Sequence, residues 1–264
     1  AEEVKTQKCM SAFLLRAKAQ YSDGRVSFEK MKLRTHTSCG TGRLFFANAV
    51  AKPEDMLGKP NTAYKYFLQH FNEERTAIAL GQLATAVQSF ARTVDHVSAR
   101  KRRDGVLLDI PSIKTDLRST GQKLLAFESL MNKYAQVMQG LRDVPDDEGS
   151  DAQLKKMRWA VPIFIACDAK VQGTELMRQV AEDGSEFRGG KGQSLSLALG
   201  KELRSFEDLC GVTRVYGGAT RALKDVRDQI AKFGIAEVID MLASTGSHKF
   251  DQHSAMLRVA MSKL

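Results

Sequence analysis

The chain has 264 residues, of which 43% are apolar, 27% charged and only 5 proline, and it carries a net charge of +9. Such a length buries a large core or divides into two domains, and the scarcity of proline favours helix over an all-β fold. The positive surplus favours anionic partners, whether lipid headgroups, nucleic acid or an acidic protein surface, without choosing among them.

Taken in order, residues 2–22 read as a helix with Val4, Met10, Phe13, Leu14, Ala17 and Tyr21 on one side, stopped by Ser22-Asp23-Gly24. A second helical stretch is predicted over 25–51, weakened by Ser38-Cys39-Gly40-Thr41-Gly42. Pro53 to Pro60 reads as a loop, and Asn61 or Thr62 can cap the next helix. Two heptad runs come next. Leu80, Leu83, Val87, Phe90, Val94 and Val97 are spaced 3,4,3,4,3, and Leu117, Thr120, Leu124, Phe127, Met131, Tyr134, Met138 and Leu141 continue the rhythm with one polar break at Thr120. That spacing keeps a narrow apolar seam facing a partner helix. Residues 62–141 predict one helix of about 120 Å at 1.5 Å per residue, bent near Gly105 and Pro111.

Asp143 to Ser150 is a predicted turn with Asp151 as cap, and a third helix runs over 152–182 with a kink at Pro162. Residues 183–194 are glycine-rich and predict a flexible loop. A fourth helix is predicted over 195–233, stopped by Gly234, with short helices near 235–243 and 250–262. No stretch alternates with the period of a strand over a convincing length, and none is an apolar run of transmembrane length.

Motifs with chemistry are sparse. Gly189-Gly190-Lys191-Gly192 lacks the full spacing of a phosphate loop and comes after a helical pattern, so it reads as a connector. The five histidines, His36, His70, His96, His248 and His253, form no HxxxH or HExxH pair and read as surface or polar-core residues. The four cysteines, Cys9, Cys39, Cys167 and Cys210, lie far apart; two disulfides in a secreted protein are one reading, and buried free thiols are favoured because a chain of this length needs no staples. Arg100-Lys101-Arg102-Arg103 is the densest basic cluster; Lys155, Lys156 and Arg158 form a second, and Arg188 with Lys191 a third. Aromatics do not interleave with them, which disfavours nucleic acid. The final Ser262-Lys263-Leu264 matches a peroxisomal address if Leu264 ends the protein.

The stretch Arg103-Asp104-Gly105-Val106-Leu107-Leu108-Asp109-Ile110-Pro111-Ser112-Ile113, continued by Lys114 to Phe127, is similar to the middle of a long helix in the BAR superfamily, and residues 25–182 resemble a BAR domain of the amphiphysin and arfaptin kind. The resemblance implies a curved homodimer whose basic residues meet an anionic membrane. Arg100, Lys101, Arg102, Arg103, Lys155, Lys156, Arg158, Arg188 and Lys191 are then the lipid-binding residues.

The expectation is therefore an all-α protein, a single elongated antiparallel bundle over 1–264 with long kinked coiled-coil helices. Its BAR-like core covers 25–182, and additional helices cover 195–262. Its expected role is to bind or bend anionic membranes as a dimer in the cytoplasm, or else to recognise protein partners as a helical scaffold. No enzymatic activity, cofactor or metal is expected.

Overall fold

In the computed structural model the described residues are 10–15, 23–32, 41–143, 152–194, 220–232, 235 and 239. The chain divides into two compact units, Ala1–Phe71 and Asn72–Leu264.

The first unit contains strands where the sequence predicts helix. β1 (Ala12–Phe13) pairs antiparallel with β4 (Met56–Leu57), and β2 (Val26–Lys30) pairs antiparallel with β3 (Gly42–Phe46), Val26 opposite Phe46. Val26, Phe28 and Lys30 alternate with Ser27 and Glu29, the two-residue period of a strand. The run is only five residues long, and the lysines and arginines around it mimic a helix surface. A Cβ at Gly42 would collide with the Phe28 ring and the Glu29 carbonyl, so the ribbon closes on a glycine. Leu44, Phe45 and Phe46 remain exposed. The predicted loop 53–60 holds a 3-10 turn, Pro53–Asp55, and β4. Of the predicted helix 2–22, residues 10–15 carry β1, and 1–9 and 16–22 lie outside the described residues.

α1 (Ala63–Ala99) begins where expected, although Thr62 does not cap it. The Thr62 hydroxyl donates backwards to the Lys59 carbonyl at 2.6 Å, and the Ala63 N–H is met instead by the Met10 carbonyl at 3.0 Å.

In the second unit the single helix predicted over 62–141 is broken, not bent. After α1 the chain makes a hairpin of β5 (Lys101–Arg102) and β6 (Gly105–Val106), then a 3-10 turn, Leu107–Asp109, before α2 (Pro111–Asp143). The Leu107 N–H closes the hairpin on the Arg100 carbonyl at 2.9 Å. Gly105 has φ +124°, and a Cβ there would strike the Asp109 carboxylate that accepts the Val106 N–H at 2.7 Å. Pro111 is the first residue of a new helix, where its missing N–H costs nothing.

α3 (Ala152–Arg188) contains Pro162 and runs six residues beyond its predicted end, through half of the predicted flexible loop; α4 (Gly190–Gln193) comes after Gly189. α5 (Thr220–Ala231) lies inside the predicted fourth helix, whose remainder is outside the described residues except 232. The heptad residues are buried: Leu83, Val87, Phe90, Val94 and Val97 on α1, and Leu117, Thr120, Leu124, Phe127, Met131 and Tyr134 on α2. They close on α3, which is buried almost all round from Ala160 to Ala181. Small residues let the helices approach: a Cβ at Gly173 would lie 2.7 Å from Gln82 Oε1 and 3.1 Å from the Phe127 ring. Among the described residues no helix is long and apolar enough to cross a membrane.

Candidate functional site

Two polar clusters are built into the helical unit. The first centres on Asp168, a buried carboxylate on α3. It accepts from the Tyr134 hydroxyl of α2 and from Gln172 Nε2, both at 2.5 Å on Oδ2, and from Arg227 Nη1 of α5 at 3.1 Å on Oδ1. Burial and the neighbouring carboxylate push the Tyr134 hydroxyl far above its ordinary range. Asp168 thus accepts on both oxygens and ties α2, α3 and α5 together. Close by in sequence, Lys170 is buried outright, and burial lowers its ammonium to about 8. Burial also raises the Cys167 thiol, which the Arg75 guanidinium approaches at 4.0 Å. That thiol is free and buried, as predicted. Cys9, Cys39 and Cys210 are outside the described residues.

The second cluster lies where α3 ends. Arg188 is buried, and its Nη1 donates to Thr93 Oγ1 at 3.0 Å and to the Gly184 carbonyl at 3.1 Å. Arg100 donates to the last carbonyls of α3, Phe187 at 3.3 Å and Arg188 at 3.4 Å, a cation placed on the negative end of the helix. Gly189, with φ +56°, turns the chain out of α3 and into α4, which carries Lys191. Facing these cations is His96 of α1. Its Nε2 is shielded from solvent and has no hydrogen-bond partner. Burial, then the charges of Arg188, Arg100 and Lys191, hold its imidazole below the ordinary histidine value. Among the described residues Arg100 and Lys191 form no salt bridge. Arg100 and Lys191 are exposed cations beside a glycine backbone with open space at Gly190, a setting that can receive an anion.

The nine predicted contact residues do not form one surface. Arg100, Arg188 and Lys191 come together at the C-terminal end of α3. Lys101 and Arg102 on β5 and Arg103 in the hairpin turn come directly after Arg100 and are exposed. Lys155, Lys156 and Arg158 sit at the opposite end of α3, roughly 45 Å away at 1.5 Å per residue. The Arg158 side chain is partly buried, and those of Lys155 and Lys156 are outside the described residues. His96, Asp168 and Lys170 are absent from the predicted set. Two charges inside the apolar run Ile163-Phe164-Ile165-Ala166-Cys167-Asp168-Ala169-Lys170-Val171 are the signal that marks the last two as buried. Among the described residues no cluster of three or more metal-ligating side chains occurs.

A helical unit with a central buried helix, flanked by two long heptad seams and closed by a shorter helix, defines the class. Residues 64–232 match the family model described as acyl-CoA dehydrogenase, C-terminal domain. The chain belongs to that family. It is 23% identical over 167 residues to acyl-CoA dehydrogenase apdG of Emericella nidulans, a match covering 63% of this chain and 35% of that protein. Butyryl-CoA dehydrogenase from Megasphaera elsdenii has the same fold, with a TM-score of 0.69 at 20% identity over 88% of this chain and 54% of that one. So does an acyl-CoA dehydrogenase from Bacillus anthracis complexed with FAD, with a TM-score of 0.68 at 17% identity over 86% of this chain and 38% of that one. The chain therefore spans about half the length of the butyryl-CoA dehydrogenase and a third of the curated relative.

These matches overturn the BAR resemblance and everything drawn from it. The heptads that suggested a coiled-coil hairpin belong to the helical domain of a dehydrogenase family, and their seams are filled within one chain. The elongated all-α bundle, the curved homodimer, the anionic membrane partner and the scaffold alternative fall with it. The expectation of a non-enzymatic module falls too, since the family is one of dehydrogenases. Basic clusters are common to membrane and cofactor sites, and the spacing of Arg100 to Arg103 does not separate them.

Proposed function

We propose that this chain is the helical part of a flavin-dependent acyl-CoA dehydrogenase, which oxidises the Cα–Cβ bond of an acyl thioester to a trans-enoyl product. The family match over residues 64–232, which covers both polar clusters of the helical unit, carries this reading. When bound, FAD supplies the acceptor for the hydride leaving Cβ as the Cα proton departs to a base. The residues present fit its anionic portion: Arg100 and Lys191 supply exposed positive charge, and Gly190 leaves room for close backbone approach. In this reading they bind and orient the phosphates, while Asp168, Tyr134 and Arg227 fix the helices that carry them.

The test is spectroscopic. Protein purified as the 264-residue chain, and a longer form matching the length of its relatives, are incubated with FAD, dialysed and treated anaerobically with butyryl-CoA. Retained flavin that is bleached by the thioester supports the proposal. Absence of flavin retention in both forms overturns it.

A further inference from the structure

We draw no further inference here: the strongest candidate, the apolar face of the β2–β3 ribbon on which Phe28, Leu44 and Phe46 stay exposed, carries nothing because nothing in the structure shows what covers it.

Discussion

Arg227 of α5 and Asp168 of α3 form an ion pair at 3.1 Å in which the carboxylate is almost entirely buried, and the same carboxylate receives the Tyr134 hydroxyl from α2. Three helices meet on one acceptor. Removing the acceptor strands a partly buried cation and a buried hydroxyl together.

Asp168→Ala is therefore expected to cost about 3–5 kcal/mol of folding stability, the range for breaking a buried pair from one side. Tyr134→Phe, which removes one donor to a charged carboxylate, should cost about 1.5–3 kcal/mol. Urea unfolding of the two single variants and of the double variant measures both costs. The double variant should lose less than their sum, because the two side chains share the carboxylate.

Gly173→Ala is the second test. In an exposed helix interior the change stabilises by about 1 kcal/mol. Here the added methyl meets Gln82 Oε1 and the Phe127 ring, and Gln82 itself donates to Thr174 Oγ1 at 2.9 Å. The expected outcome is a destabilised protein. In a Gln82→Ala background, where the obstructing amide is gone, the penalty of Gly173→Ala should shrink or change sign in the same urea assay.

Lys170 gives a pH signature with a definite sign. Burial, reinforced by the Arg75 charge and opposed by Glu74, takes its folded-state value down to about 8 from an ordinary 10.5. Between those values the unfolded chain binds a proton that the folded chain has released, so this contribution to stability rises with pH across the window. It is lost again as pH falls through 8, where the folded chain carries the buried charge. Lys170→Met should be more stable than wild type at pH 7 and should lose this slope. Chemical denaturation at pH 7 and pH 9.5 checks both statements.

Asp183 shows the opposite behaviour. Burial holds its carboxyl above the ordinary value, although the Thr120 hydroxyl donates to it at 2.7 Å. A raised folded-state value contributes stability at low pH that is lost as pH rises through it. Asp183→Asn keeps an acceptor for Thr120 without the charge. Its melting temperature should equal or exceed that of wild type at pH 7, and the two should converge at pH 3.

The seams were legible because each apolar residue of α1 and α2 repeats within one turn, and Leu83, Phe90, Leu124 and Phe127 are buried where the rhythm placed them. What the rhythm does not encode is the partner. A heptad seam filled by α3 in the same chain and one filled by a second chain have the same spacing. The break after Ala99 was hidden because Arg100 to Arg103 are good helix formers, while the helix is ended by pairings further on, Lys101 with Val106, Arg102 with Gly105 and the Leu107 N–H with the Arg100 carbonyl. The ribbon of β2 and β3 was missed because five-residue strands carry too few alternations to outweigh their charged surroundings. Of the candidate site, Arg100, Arg188 and Lys191 were visible as charge, but 88 residues separate the first two. His96 carries no motif at all, since its meaning comes from cations brought to it by different elements.

The central position of α3 also orders the events of opening. Its amides between Val161 and Ala181 are covered by α1 and α2 on one side and by α5 on another, so no local fluctuation frees them. Amide hydrogens there should exchange only through cooperative unfolding of the whole unit, whereas those of the β5–β6 hairpin, exposed and tied by few bonds, should exchange through small local openings. The slow-exchanging segment then reports global stability by itself, and its protection should rise by the free energy of ligand binding when the cluster at its C-terminal end is occupied.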